Sequence, residues 1–150
     1  MQPTEMVNEI AALVEAVPGI GKVFRFYDHV DSEAEVKAKY MSGGILHAWV
    51  VTHVKTPVED VGNHTRRRDL ILIAGRRSVE KGPDSERLHQ EMTERVRALF
   101  DAQGSRHLAN QAGWVRTPLS VEEFSSDIWM NMLCWYALLS CEVEPERIGS

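Results

Sequence analysis

The chain has 150 residues, 43% of them hydrophobic and 26% charged, with a formal net charge of −5. That size suits one domain with a sizeable core, and an acidic balance argues against a dedicated nucleic-acid binder. The N-terminal residues are polar and the first apolar ones are spaced as on an amphipathic helix, so no secretory signal is expected.

Thr4 is placed to cap a first helix whose apolar positions, Met6, Val7, Ile10, Leu13, Val14 and Val17, recur with a period near 3.6. Pro18-Gly19 stops it. Val23 to Tyr27, VFRFY, reads as a strand. Ser32 and Glu35 form a Ser-x-x-Glu capping box, which predicts a short helix to about Tyr40, broken at Gly43-Gly44. Ile45 to Val54, ILHAWVVTHV, is a long strand, and Arg68 to Ala74 is the next. The two are expected to pair as a hairpin whose extended tip is a loop from Lys55 to Thr65, holding Pro57, Gly62 and Asn63. Gly82-Pro83-Asp84-Ser85 turns into the strongest helix, with a core stripe of Leu88, Met92, Val96, Leu99 and Phe100; Gly104 ends it. That stripe is expected to pack on the sheet beside Leu70 and Leu72. Trp114 to Leu119 is a short strand that Pro118 places at an edge.

The most apolar run, Ile128 to Glu144, carries Trp129 and Trp135. It is shorter than the roughly 20 apolar residues of a membrane helix. Read as a strand it is apolar on both faces, as in a central strand covered twice, once by its own helices and once by a neighbouring subunit. A buried helix competes; the β-enriched aromatics favour the strand. Cys134 and Cys141 are the only cysteines. Their spacing along a strand is roughly 23 Å, or roughly 10 Å along a helix, against a Cα limit near 7 Å for a disulfide. Both should be free thiols, as suits a reducing compartment.

Together these elements predict a single α+β domain over residues 1–150, a mainly antiparallel sheet with two amphipathic helices packed on one face. The second apolar face of the last strand then needs a cover, and homo-oligomerisation is the simplest supply.

Candidate chemistry is sparse. Pro18-Gly19-Ile20-Gly21-Lys22 lacks the first Gly and the Ser/Thr of a P-loop. It resembles the turn of a helix-hairpin-helix DNA-binding motif, but a strand is expected where that motif needs its second helix. A helix stop is the simpler reading. His47 and His53 share a strand face about 20 Å apart, too far to share a metal; His64, His89 and His107 read as partly exposed polar residues. Arg66-Arg67-Arg68 and Arg76-Arg77 are the densest positive charge, expected close together at one sheet end, where they would be solvated, meet an acidic protein face or contact phosphate. Glu59-Asp60 and Glu122-Glu123 are adjacent acids whose side chains would point to opposite faces of a strand. The sequon Asn63-His64-Thr65 is expected to remain unmodified. No catalytic, metal or cofactor constellation emerges, so the chain is expected not to be an enzyme.

The pattern as a whole resembles the tail terminator (tail-completion) proteins of long-tailed bacteriophages. The resemblance rests on the helix closing in Val17-Pro18-Gly19 with the strand Val23 to Tyr27, and on the tryptophan-bearing strand Gly44 to Val51. It continues through the basic-then-apolar strand Arg66 to Gly75, the amphipathic helix from Ser85, and a long C-terminal strand ending in acids. It implies an α+β subunit of a hexameric ring that caps the tail tube, stops its polymerisation and joins it to the head. The implied partners are further copies of the chain, the tail tube protein and head–tail connector proteins, with no membrane, cofactor or specific nucleic acid. The implied place is the virion tail, after assembly in the host cytoplasm. Candidate subunit or tube contacts are Glu59, Asp60, Arg66, Arg67, Arg68, Trp129 and Trp135; the long tip is expected to set one subunit's acids against a neighbour's arginines. The alternatives are another head–tail connector or neck ring protein, a DNA-handling protein using Pro18 to Lys22 and the arginines, and a small-molecule enzyme.

Overall fold

A computed structural model of the chain describes residues 2–26, 32–56, 58–62, 64–108 and 113–145, with the backbone alone for residues 33, 36, 59–61 and 64–66. Helix α1 (Pro3–Glu15) starts ahead of the expected Thr4 cap: Gln2 is the N-cap and Pro3 opens the first turn. Proline fits there because the first N–H groups of a helix have no internal partner. Met6, Val7, Ile10, Ala11 and Val14 are buried, the expected stripe without Leu13, which stays exposed. The stop at Pro18-Gly19 leads through Gly19 and Gly21, both left-handed (φ +76° and +85°), into β1 (Lys22–Arg25). Because a strand begins at Lys22, Pro18 to Lys22 is a helix stop and turn, not a DNA-binding hairpin. Tyr27 lies outside the described residues.

Helix α2 (Glu33–Tyr40) carries its expected cap: the Ser32 hydroxyl accepts from the Glu35 N–H at 3.3 Å. Strand β2 (Met41–Ser42) then turns through Gly43 and Gly44 (φ +61° and +79°) into β3 (Ile45–Lys55). Two left-handed residues in a two-residue connection match the right-handed twist of paired strands, so Gly43-Gly44 makes a hairpin and the helix has already ended at Tyr40. The expected loop from Lys55 to Thr65 is also structured. Strands β4 (Val58–Val61) and β5 (His64–Arg67) pair antiparallel as a small sheet of their own, with Gly62 at φ +62° between them. The sequon residue Asn63 lies outside the described residues.

Strand β6 (Asp69–Ser78) pairs antiparallel with β3, as expected. Helix α3 (Asp84–Arg97) runs into a 3-10 turn at Ala98–Phe100, and β7 (Gly113–Val115) is the short strand near Trp114. The apolar run from Ile128 is not one strand. It divides between β8 (Ser120–Trp129) and β9 (Met132–Pro145), joined by Met130 and Asn131, both at positive φ (50° and 64°). A non-glycine residue in that region costs roughly 1–2 kcal/mol, and the antiparallel pairing of the long strands on either side holds the turn.

The main sheet has seven strands in the order β1-β3-β6-β9-β7, with β2 on β3 and β8 on β9. The β1–β3 pair is parallel and the other pairs are antiparallel. Strand β9 is interior, as expected: β6 flanks one side, while β7 and β8 share the other.

Helices α1 and α3 cover one face. Their Met6, Val7, Ile10, Val14, Met92 and Val96, with Phe100 beyond α3, meet Trp49, Val51, Ile71, Ile73, Ala137, Leu139, Cys141 and Val143 in one core. Each large side chain fully buried there is worth roughly 1.5–3 kcal/mol. The strand residues that meet the helices are Ile71 and Ile73, not Leu70 and Leu72. Side chains alternate along a strand, and Ile71 and Ile73 share the face of their partners Cys141 and Leu139, which puts Leu70 and Leu72 on the far side.

Candidate assembly surface

The opposite, outer face of the sheet carries a smaller cluster at one end. There Tyr40 of α2 packs against Phe24 (ring centroids 4.6 Å apart) and edge-on to Trp129 (5.2 Å), over Leu46, Ala48 and Cys134. The register lays out the rest of this face in rows: Ala48–Arg76–Tyr136, Val50–Ala74–Leu138 and Thr52–Leu72–Ser140. Leu70, Leu72 and Leu138 are half-buried. Among the described residues, α2 is the helix packed on this side, and it contacts β2 and β3. Acids flank the rows from β8: Glu122 accepts from the Ser140 hydroxyl at 2.6 Å, and Asp127 pairs with Arg76 at 3.2 Å.

At the far end stands the small hairpin. Glu59 is the cross-strand partner of Arg66, and Asp60 of Thr65. The base of the hairpin is tied by Asp69, whose side chain is fully buried. Its carboxylate accepts from the Thr56 hydroxyl at 2.7 Å, lies 2.8 Å from His53 Nε2, and pairs with Arg67 at 3.0 Å. Arg68 lies 3.6 Å from Glu142. Arg67 and Arg68 are therefore already engaged inside their own chain. The basic clusters are not together, either: Arg68 precedes β6 and Arg76 sits near its end, roughly 26 Å away at 3.3 Å per residue. Arg76 faces outward, its guanidinium 4.5 Å from the Tyr136 ring centre and 5.3 Å from that of Trp129, while Arg77 lies on the helix side beside Glu80 (3.2 Å).

The two candidate contact tryptophans part in the same way. Trp129 is on the outer face. Trp135 is on the helix side, where its indole N–H donates to the Ser85 hydroxyl at 3.1 Å and its ring stacks with Phe124. The most exposed apolar groups near the Met130-Asn131 turn are Ile128 and Leu133, cross-strand partners on the same sheet face as Trp135 that are 75% and 51% exposed.

One cluster escapes sequence reasoning. His89 is fully buried rather than partly exposed, with its ring 5.4 Å from Trp49, 5.6 Å from Phe124 and 6.1 Å from His47. His89 Nε2 donates to the Gly75 carbonyl at 3.1 Å, and Trp49 Nε1 donates to His47 Nε2 at 3.3 Å. Burial, helped by nearby Arg77, pushes both imidazoles down to about 4. The signal was available in α3: His89 shares the buried flank of Ser85, Met92, Thr93 and Val96. Beside His47 opens a cleft of about 440 Å³ lined by Gly21, Lys22, Ser42, Ile45, His47 and Arg77. Among the described residues no three His, Cys, Asp or Glu side chains are grouped to hold a metal, and no helix is long and apolar enough to cross a membrane.

These features define a single-domain α+β protein, a curled and mainly antiparallel sheet with α1 and α3 on one face and, among the described residues, α2 over one end of the other. No known family model matches the sequence, and no curated protein does. The fold itself recurs, since 28 solved chains match it. One of them, whose name states no activity, superposes with a TM-score of 0.58 at 15% identity, over 97% of this chain and 93% of its own. At that identity the likeness establishes the fold alone.

Proposed function

We propose that the chain is the repeating subunit of a closed ring of the phage tail-terminator type, a structural protein that caps the tail tube, ends its polymerisation and joins it to the head. The observation that supports this reading is the outer face, where Leu70, Leu72 and Leu138 lie half-buried in rows flanked by charge. A half-covered apolar sheet face is what a neighbouring subunit would bury. In this reading the ring is a hexamer, its partners are the tail tube and the head–tail connector, and its place is the virion tail. The small hairpin at the end of β3 and β6 then projects toward the next ring or subunit.

Sedimentation of the purified chain and electron microscopy test this. A species several times the 17.0 kDa chain mass that images as a ring is expected. Leu72→Asp or Leu138→Lys should leave a folded chain that no longer assembles. A monomer at every concentration, also when mixed with tail tubes, would remove the ring.

A further inference from the structure

The cleft beside His47 has a chemistry of its own. Its described lining residues come from the turn before β1, from β1 itself, and from β2, β3 and β6, and none of these is acidic. Lys22 gives one hydrogen bond to the Lys39 carbonyl at 3.0 Å, and an ammonium has three donors. Arg77 spends one amino group on Glu80 (3.2 Å), while its Nε is buried and meets no acceptor among the described residues. Trp49 Nε1 can only donate, so His47 Nε2 accepts, and the neutral ring carries its proton on Nδ1. That nitrogen is on the Gly21 side of the ring: a Cβ at Gly21 would stand 3.0 Å from it and 2.5 Å from the His47 carbonyl oxygen. Gly21, at φ +85°, is thus the residue that leaves Nδ1–H uncovered. Ser42, on β2, also lines the cleft. Residues bearing a guanidinium, an ammonium, an imidazole N–H and a hydroxyl thus line one cleft, Arg77 and His47 from the helix side and Lys22 from the edge strand β1, and among the described residues none of the lining is acidic.

We propose that this cleft binds a tetrahedral oxyanion of the phosphate class, with Lys22 and Arg77 supplying charge and His47 Nδ1–H and Ser42 supplying directed hydrogen bonds. Charge-assisted bonds from a guanidinium and an ammonium are the strong ones in such a site. Donors arriving from separate strands suit a tetrahedral group better than a planar carboxylate. The cleft is wider than inorganic phosphate, so the anion would be one end of a small organic molecule. This site does not depend on the ring reading.

The experiment is a titration of the wild-type chain with inorganic phosphate, followed by the amide resonances of Gly21 and Lys22 and the imidazole resonances of His47. Saturable shifts at millimolar phosphate are expected, with acetate at least about tenfold weaker, a difference of about 1.4 kcal/mol. Lys22→Gln and Arg77→Gln should each weaken phosphate by about tenfold or more, with unfolding midpoints measured alongside. Absence of saturable shifts in the wild-type chain overturns the site whatever the variants do. Acetate binding as tightly as phosphate overturns the tetrahedral assignment.

Discussion

The indole of Trp49 fills the space that any side chain at its cross-strand partner Gly75 would need. A Cβ at Gly75 would stand 2.5 Å from the ring carbons Cε3 and Cζ3. The same glycine offers its carbonyl to His89. Gly75 therefore serves both residues, its missing side chain making room for the largest residue of the core and its carbonyl holding a buried histidine.

Gly75→Ala should destabilise the chain by about 1–3 kcal/mol, the range for overpacking a filled core, and should change the emission of Trp49. Urea unfolding followed by tryptophan fluorescence checks it. An unchanged midpoint would mean that the indole lies elsewhere.

The facing of β6 gives a second prediction. Ile73 is fully buried under the helices, while Leu72 is half-buried on the outer face. Ile73→Ala should cost about 2–5 kcal/mol and Phe100→Ala about 3–5 kcal/mol. Leu72→Ala should cost clearly less in a monomeric preparation. Equal losses at Ile73 and Leu72 would contradict the register.

Acid should weaken the fold through the two histidines. Their folded-state pKa values lie near 4, against an ordinary 6.5. Burial is the main cause for both; the Gly75 hydrogen bond opposes it at His89. Between those values the unfolded chain binds protons that the folded chain refuses, so stability falls as pH drops through that window. Above it, these two groups contribute no pH dependence. Urea midpoints at neutral and mildly acidic pH should show the fall, and His89→Gln should flatten it. A midpoint independent of pH across the window would place the rings in contact with water.

The arginines at the hairpin base should separate. Arg67 faces a fully buried carboxylate, so Arg67→Met leaves Asp69 to His53 and Thr56 alone and should cost about 1–3 kcal/mol. Arg68→Met loosens a partly exposed pair with Glu142, worth about 1 kcal/mol or less. Thermal melts of the two variants decide it, and a larger loss at Arg68 would reverse the assignment.

Cys134 and Cys141 sit at odd spacing on β9, one in the outer cluster and one in the helix-side core. Burial pushes their thiols up to about 11 and about 12. Both should react slowly in the native chain at mildly alkaline pH. After denaturation without reductant, both should titrate as free thiols. A recovered intrachain bond would contradict their opposite facing.

The elements that sequence revealed are those with strong periodicity or dedicated punctuation. The α1 stripe, the Ser32 cap and the β3–β6 pairing each rest on one local signal that no long-range contact overrode. What stayed hidden is equally physical. Strand β8, at the sheet's edge, is mostly polar from Ser120 to Asp127, and Val121 and Phe124 are its apolar residues there, so it offers neither an apolar run nor an alternation. Its turn through Met130-Asn131 lacks the glycine that usually marks such a bend and is held by the strands themselves. The facing of Leu70 and Leu72 hinges on a shift of one residue, which period-two alternation turns into an exchange of faces. In the candidate surface, Trp129 and Trp135 read alike as aromatic anchors on one face of a single strand, yet the turn between them makes Met132 the partner of Trp129, and three further residues along β9 bring Trp135 to the other face. His89 escapes sequence reasoning because a polar residue beside an apolar stripe looks solvated until the Gly75 carbonyl supplies its partner.

Asp69 holds Thr56 on one leg of the small hairpin and Arg67 on the other. The segment between them is thus a ring closed by a carboxylate instead of a covalent bond, and the separation of its ends is set by the sheet. Lengthening a closed loop is inexpensive, about 0.6 kcal/mol for each doubling. Here the chain can therefore lengthen, shorten or exchange its tip while the strands beneath keep their register. The Asp69 knot works as a socket into which tips of different sequence could be fitted, so that the choice of what the tip touches can change without the fold having to be solved again.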